Sequence, residues 1–179
     1  MSTFNPDSGL YETLPDEDLD RRAAFLQQLG LAVEADPVMD GIARELGEAS
    51  RQPWAMVNFI TGEQHFVGLY VAPGAPPVAR SMVREHGYCP DLLDRPVALV
   101  LPDVCMSSRF QSNEVVDSLG VRTYSGAPLI HHQSGLTLGT VCFIGPEAMP
   151  ESTGSTNCVL VKAARDQVMD VIHAREANR

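Results

Sequence analysis

The sequence predicts an α+β domain in which helices cover one face of an antiparallel sheet. Two segments with helical spacing of apolar residues precede residue 50, and another closes the chain. Between them lie apolar runs of strand length, and short turns join these runs in pairs at both ends of the series. Paired strands flanked by helices, without strict strand–helix alternation, are typical of the α+β class. The 179 residues suffice for one such domain.

The N-terminal part predicts a tail and two helices. Residues 1–13 combine Pro, Gly, Asn and Ser without periodicity, so we expect a flexible tail, followed by a single domain over residues 14–179. Residues 14–18 begin a helix, because proline and acidic residues are favoured in a first turn with exposed amides. A second helix begins at Asp36 and its following proline, and Gly47 is expected to end or weaken it.

The strand region predicts two hairpins and a shorter strand. Residues 54–60 and 65–71 form the first predicted hairpin, and residues 121–130 and 136–144 form the second. The stretch 80–93 fits either a short helix with a strand or an irregular cap. The remaining predicted elements are a strand at 96–101, a helix at 107–119 and a last helix from residue 156 or 157 to about residue 177.

Charge and composition exclude several classes of function. The chain has 13 Lys+Arg against 23 Asp+Glu, a net charge of −10, and no basic stripe that would neutralise nucleic-acid phosphates or an anionic membrane surface. It has no apolar run long enough to span a membrane and no apolar leader at its N-terminus. The four cysteines form no CxxC pair, so we expect no structural zinc and reduced thiols in a cytoplasmic protein.

Five blocks of sequence resemble the GAF domain, most closely a bacterial subgroup of that family. The likeness spans roughly residues 38–177. It implies a six-stranded antiparallel sheet, with terminal helices on one face and a ligand cap of loops and a short helix on the other. The blocks are Gly87 to Cys89, Leu99 to Asp103, Arg109 to Asn113, Gly120 to Leu129 and Leu138 to Cys142.

The resemblance implies a non-catalytic sensor that binds a small molecule and signals through its terminal helices. Its partner would be a protein such as a kinase or a transcription regulator. The sequence names neither the ligand nor a cofactor, and no metal site is predicted. The residues expected to bind the ligand are Phe59, His65, His86, Tyr88, Cys89, Asp103, Arg109, Phe110, Tyr124 and Gly126. Those expected to face one cavity on the side away from the terminal helices are Phe59, His65, Tyr88, Cys89, Phe110 and Tyr124.

The cysteines leave an enzyme open as an alternative. The free methionine sulfoxide reductases share the GAF fold, and Cys89 matches their first cysteine loosely, with Cys105 as a conceivable second thiol. Residues 102–107 do not match that family's second cysteine block. The other interpretation of Cys89, Cys105 and Cys142 is that they are small buried apolar residues.

The polar candidates also have structural interpretations. Asp103 follows a strand and either caps the next turn or pairs with Arg109. Arg109 alternatively binds an anionic ligand through its fork of donors. His131 and His132 lie in a predicted hairpin turn, where we expect a solvated pair. The glycine at 126 leaves room for a ligand or a packing element to approach the sheet.

The third alternative is a dimerisation module without a ligand. The last helix carries an apolar stripe wide enough to cover the sheet. Three further apolar residues lie off this stripe, and a homodimer would bury them between terminal helices. The stripe comprises Leu160, Ala164, Val168, Val171 and Ile172. The residues off the stripe are Val159, Val161 and Met169.

Overall fold

The computed structural model describes residues 2–5, 10–13, 16–31 and 34–178. Within these residues, short 3-10 turns accompany the helices at 89–92, 104–106 and 151–153. The helices are α1 (Leu19–Gln28), α2 (Pro37–Ser50), α3 (Glu114–Leu119) and α4 (Gly154–Ala177). The strands are β1 (Ser2–Asn5), β2 (Leu10–Thr13), β3 (Trp54–Ile60), β4 (Glu63–Val71), β5 (Ser81–Val83), β6 (Leu99–Leu101), β7 (Thr123–His131) and β8 (Leu136–Gly145).

Strands β3 to β8 form one antiparallel sheet in the order β5-β4-β3-β8-β7-β6. This arrangement confirms the predicted α+β class and the six-stranded antiparallel sheet. The two predicted hairpins are β3–β4 and β7–β8, and pairing of β3 with β8 joins them at the centre of the sheet. The three-residue β5 comes from the stretch that the sequence left ambiguous and extends the sheet beyond β4.

The N-terminal residues add a separate strand pair. β1 and β2 pair antiparallel within the segment predicted to be a flexible tail. Residues 14 and 15, where the first helix was expected to begin, lie outside the described residues, and α1 begins at Leu19. The domain boundary between residues 13 and 14 therefore stays a prediction.

Helix α2 begins where the sequence predicts. The Asp36 carboxylate accepts hydrogen bonds from the amides of Val38 and Met39, which would otherwise have no partner in the first turn. The expectation that Gly47 ends the helix was wrong. A Cβ at this position would overlap the ring of Tyr70, so glycine allows β4 to approach α2 closely, and the helix continues to Ser50.

Helix α3 is shorter than predicted. The spacing favoured a helix over 107–119, but regular helix begins only at Glu114. The side chain of Asn113 accepts from the amide of Val115 and so caps the helix at that point. The preceding residues form turns instead.

Two apolar clusters lie on opposite faces of the sheet. Helices α1, α2 and α4 cover one face, and the chain between β4 and β7 covers the other. Residues Val161 and Met169 of α4, expected to be partly exposed, are buried, because α4 contacts both the sheet and α2 and needs a wider apolar arc. Val159 is 64% exposed, as expected. In the described part of the chain, no helix combines the length and the apolar character needed to cross a membrane.

Candidate functional site

The face of the sheet away from the long helices is covered by residues 72–122, which we call the cap. Two of its segments are fastened to each other by polar contacts. The Asn113 side chain accepts from the Gly87 amide at 2.8 Å and donates to the Gly87 carbonyl at 2.7 Å. Arg109 forms an ion pair with Asp91. These contacts join the start of α3 to the 3-10 turn at 89–92, so the two segments are held as one unit.

Three aromatic rings fill much of the layer between the cap and the sheet. The ring of Tyr88 lies 5.7 Å from that of Phe110 and 5.1 Å from that of Tyr124, measured between centroids. The Tyr88 hydroxyl donates to the Phe110 carbonyl at 3.3 Å. Burial raises the pKa of both tyrosines, so each stays protonated and acts as a hydrogen-bond donor at neutral pH.

Two buried thiols meet in this layer. The Cys89 Sγ lies 3.6 Å from the Cys142 Sγ and 3.7 Å from the Tyr124 hydroxyl, which donates to it. The hydrogen bond from Cys142 lowers the pKa of Cys89, and the nearby Thr140 and Asn58 side chains and the Tyr124 hydroxyl act in the same direction, against the effect of burial. The same contact raises the pKa of Cys142. Cys89 is therefore the preferred thiolate of the pair.

A row of polar side chains lies beside the thiols on the cap face of the central strands. The amide nitrogen of Asn58 donates to the Gln64 side-chain oxygen at 2.8 Å. Gln64 in turn donates to the carbonyls of residues 83, 84 and 86, the shortest bond being 2.6 Å to His86. The Asn58 Oδ1 and the Thr140 Oγ1 are buried and form no hydrogen bond of normal geometry with the described residues. Both are acceptors available to another molecule.

A small cavity lies between this face and the cap. Its volume is about 30 Å³, which is room for about one or two water molecules. Most of its wall is apolar, with Gln64 and the thiol pair as the polar exceptions. The lining residues are Met56, Gln64, Phe66, Val78, Met82, Gly87, Tyr88, Cys89, Val115, Leu119, Tyr124, Cys142 and Ile144.

The structure brings part of the predicted ligand set together. Tyr88, Cys89 and Tyr124 line the cavity, and Phe110 lies in the same apolar cluster. The expectation that Phe59 faces the cavity was wrong, because strand alternation turns its side chain into the cluster beneath the helices. His65 pairs directly opposite Phe59, so it lies on the helix face of the sheet as well.

The charged candidates are engaged within the cap. Asp103 caps the 3-10 turn at 104–106 by accepting from the Cys105 amide, as expected, but its ion-pair partner is Arg122. Arg122 lowers the pKa of Asp103. Arg109 pairs with Asp91 instead, so of the two alternatives for Asp103 the structure has the cap and not the pairing with Arg109.

The other candidates have backbone or packing roles. His86 is half-buried, and its carbonyl accepts from Gln64. At Gly126, a Cβ would overlap the Tyr124 hydroxyl. The space at this glycine is therefore filled by a side chain of the same strand. His131 is 3% exposed, so the expectation of a solvated histidine pair was wrong for His131, whereas His132 is exposed.

Sequence reasoning missed the polar residues Asn58, Gln64 and Thr140. A signal was present for Asn58 and Thr140, since each is a polar residue within a largely apolar strand, whereas Gln64 stands between Glu63 and His65 at the polar start of β4. It also missed Cys142 as the thiol next to Cys89, because 53 residues separate the two.

A second missed cluster links α1 to the cap beyond β5. Asp16 forms ion pairs with Arg22 of α1 and with Arg84, which directly follows β5. Arg22 is buried and also donates to the carbonyls of Thr137 and Ile60. Burial raises the pKa of Asp16, but the two arginines outweigh it and lower the pKa to about 2. The carboxylate is thus charged at neutral pH and joins three parts of the molecule.

One family model, described as GAF domain, matches residues 34–172. No curated protein matches the sequence. Among solved structures, the phycocyanobilin-bound GAF domain of a cyanobacterial phytochrome has a TM-score of 0.64 at 15% identity, over 94% of this chain and 99% of that one.

Two further structures have the same fold. The free methionine-R-sulfoxide reductase from Neisseria meningitidis, solved with its substrate, has a TM-score of 0.62 at 15% identity, over 94% of this chain and 98% of that one. The GAF domain of an Acinetobacter phosphoenolpyruvate-protein phosphotransferase has a TM-score of 0.59 at 13% identity, over 92% and 97%. At such identities the likeness concerns the fold alone.

Proposed function

The chain belongs to the GAF domain family, and we propose that it is a non-catalytic sensory or regulatory module that binds a small molecule beneath the cap. Structural neighbours with sensory roles support this class, namely the phytochrome domain and a methyl-accepting chemotaxis protein. The proposal includes a cytoplasmic location and a protein partner, such as a kinase or a transcription regulator, that responds to the ligand.

The observation that carries the proposal is the pair of buried acceptors under the cap. Asn58 and Thr140 are register partners on β3 and β8, and neither the Asn58 Oδ1 nor the Thr140 Oγ1 accepts a hydrogen bond from the described residues. A buried polar group without a partner costs about 1–3 kcal/mol. Neither residue lines the cavity, so a ligand would reach the two oxygens only after the cap opens. A ligand that donates hydrogen bonds to both would remove this cost, and because the cavity wall is almost wholly apolar we infer a small, mainly apolar ligand that carries two donors.

The cavity requires the cap to move when such a ligand binds. Its volume of about 30 Å³ is far below the several hundred Å³ of typical ligand pockets. The cap is built from short elements and turns, which open more readily than regular sheet or long helix. Binding would thus displace the cap and its internal contacts, and this displacement is the signal that we propose.

A continuous set of contacts leads from the cavity to α1. Gln64 lines the cavity and holds the backbone of residues 83–86. The side chain of Arg84 in that segment binds Asp16, and Asp16 binds Arg22 of α1. We propose that movement of the cap changes these ion pairs and so alters the position of α1 for a partner protein.

The proposal is tested with a cavity-filling variant. Leu119 lines the cavity from a half-buried position of α3, so Leu119→Phe places extra ring atoms in it. Val116 lies on the same helix but does not line the cavity, so Val116→Phe is the matched control. A panel of small metabolites that includes mainly apolar molecules is screened by thermal unfolding, because a ligand that binds only the native state raises the melting temperature. We expect a shift for the wild type and Val116→Phe, and none for Leu119→Phe.

Native mass spectrometry of the purified protein provides an independent measurement. A bound molecule in the wild type that Leu119→Phe lacks supports the proposal. The absence of both a co-purifying molecule and any thermal shift would contradict it, and would favour an interaction module whose pocket is filled by its own side chains.

One observation favours a thiol-dependent enzyme as a second candidate. The Cys89 and Cys142 sulfurs are 3.6 Å apart, and a reductase is among the structures of the same fold. Reduction of a sulfoxide by this pair would form a Cys89–Cys142 disulfide. The two thiols supply two protons and two electrons, the sulfoxide oxygen leaves as water, and the sulfoxide becomes a thioether.

Thiol counting separates this candidate from the sensor. The protein is incubated with free methionine sulfoxide, denatured in acid and titrated. An enzyme loses two of the four thiols, Cys89→Ala loses none, and the control Cys158→Ser still loses two. Retention of all thiols in the wild type rejects the enzyme and leaves the cysteines as buried packing residues.

A further inference from the structure

Three potential metal ligands converge where β7 meets the last turns of α4. They are the side chains of His131, His173 and Glu176, and their ligand atoms all lie within 4.8 Å of one another. His173 and Glu176 are three residues apart on α4 and therefore lie on the same side of the helix. His131 is the last residue of β7, so the set depends on the packing of the helix against the sheet.

The ring of His131 is held in a fixed orientation. Its Nδ1 lies 2.8 Å from the Ser134 hydroxyl, and the ring of Phe25 packs against it at 4.7 Å between centroids. The contact to Ser134 satisfies Nδ1 and leaves Nε2 as the nitrogen that faces Glu176, at 3.1 Å from its Oε2. A polar contact to the second ring nitrogen is the usual way in which proteins orient a metal-binding histidine.

The contact between His131 and Glu176 fits either a hydrogen bond or a bound metal ion. A neutral imidazole with its proton on Nε2 donates to the carboxylate, whereas in the other tautomer the Nε2 lone pair and the Glu176 oxygen can both bind a metal ion. His173 adds a second imidazole next to this pair, with its ring 6.0 Å from that of His131 between centroids. A proton needs only the first two groups, whereas a metal ion also uses the third.

We propose that His131, His173 and Glu176 form a binding site for Zn²⁺ or a similar divalent transition-metal ion. Two imidazoles and one carboxylate are a donor set that suits Zn²⁺. The 3.1 Å between the His131 nitrogen and the Glu176 oxygen is close to the spacing of two ligands around one zinc ion. His173 is exposed, so its side chain is free to rotate into the third position.

The remaining coordination position faces the outside of the domain. His173 also lines a surface groove of about 370 Å³ between α4 and the neighbouring loops, together with Pro96, His132 and Asp170. A water molecule or an anionic group in this groove would complete the coordination. The proposed ion joins β7 to the end of α4, and it is independent of the cavity beneath the cap.

Zinc binding is measured on full-length, tag-free protein in a Cys105→Ser/Cys158→Ser background, which removes the two more accessible thiols. Competition with a chromophoric zinc chelator gives stoichiometry and affinity. We expect one zinc per chain, and at least tenfold weaker binding in His173→Ala and in Glu176→Gln. The matched control is His132→Ala, which removes a neighbouring exposed histidine and should bind zinc like the parent.

Cobalt substitution and thermal unfolding identify the ligands. Co²⁺ should give visible absorption without thiolate charge-transfer bands, and His173→Ala should lose it. Zinc should raise the melting temperature of the parent and of His132→Ala, but not that of His173→Ala. No stoichiometric zinc in the parent, or equal affinity in all variants, would overturn the proposal and leave a hydrogen bond between His131 and Glu176.

Discussion

At the scale of single residues, the packing of the layer beneath the cap depends on Tyr124. Its hydroxyl lies over Gly126, two residues further along the same strand, and donates to the Cys89 sulfur. Because side chains two apart share a face, this arrangement requires glycine at position 126. The aromatic ring and the thiol pair thus depend on a residue that contributes no side chain.

We expect Gly126→Ala to destabilise the protein by about 1–3 kcal/mol, because its Cβ would overlap the Tyr124 hydroxyl in a closely packed layer. Tyr124→Phe removes that oxygen, but the ring carbon that carried it would still lie 2.7 Å from the Cβ, so the double variant should recover only part of the loss. Urea unfolding of the four proteins measures the coupling.

The matched control is Gly41→Ala, in α2, where a Cβ meets no atom within 4 Å. It should stabilise the protein by up to about 1 kcal/mol, as alanine is the better helix former. A loss in Gly126→Ala that Tyr124→Phe leaves unchanged would mean that the Tyr124 ring, and not its hydroxyl, requires glycine.

At the scale of elements, Asp16 connects α1 to the cap. Its carboxylate is shared between Arg22 of α1 and Arg84 beyond β5. Arg22 is buried, and a buried guanidinium requires charged or polar partners. The position of the first long helix is therefore tied to a cap segment that also contacts the cavity-lining Gln64.

The lowered pKa of Asp16 makes this connection dependent on pH. The carboxyl has a pKa of about 2 in the folded protein and 3.8 as its ordinary value. Its stabilisation is thus complete above the ordinary value and is lost as the pH falls towards the folded value. Allowing for solvent screening, we expect about 1–2 kcal/mol from it.

Thermal unfolding of the wild type and Asp16→Asn tests this expectation. The difference in the free energy of unfolding between the wild type and Asp16→Asn should be constant near neutral pH and should decrease from about pH 5 to about pH 2. Asp20→Asn, which changes an exposed carboxylate in α1, serves as the control. If this difference stays the same in acid, Asp16 stabilises the protein by packing and not by its charge.

At the scale of the whole molecule, the sheet separates two layers with different roles. The helix layer is mainly apolar and contains one unpaired oxygen, the Ser125 Oγ opposite Phe143, whereas the cap layer contains the thiols, the unpaired oxygens of Asn58 and Thr140, and the cavity. The sheet is thus a rigid base, and the cap is the side on which a ligand would act. Of the residues proposed as a dimer surface on α4, Val161 and Met169 belong to the first layer.

We therefore expect the protein to be a monomer at micromolar concentration. Val159 is the large apolar residue that α4 leaves exposed, and a stable interface needs far more buried area than one valine. The net charge of −10 also opposes association of two copies. Light scattering over a range of concentrations measures the mass, and a dimer that Val159→Lys converts to a monomer would contradict this expectation.

Sequence patterns alone determined the local structure of this protein. Apolar runs joined by short turns predicted both hairpins, the Asp36–Pro37 pair predicted the start of α2, and ordered motifs predicted the family. These features depend on residues close to one another in the chain, where backbone geometry limits the outcomes. The alternation of side chains between the two faces of β3 also predicts the side of the sheet on which Phe59 lies.

Only the tertiary structure decided which distant residues meet. Cys89 contacts Cys142 across 53 positions, Asp16 contacts Arg84 across 68, and His131 contacts Glu176 across 45. Each contact depends on strand register, on the path of the cap or on the angle of a helix against the sheet. These quantities result from the packing of the whole chain, so no local pattern contains them.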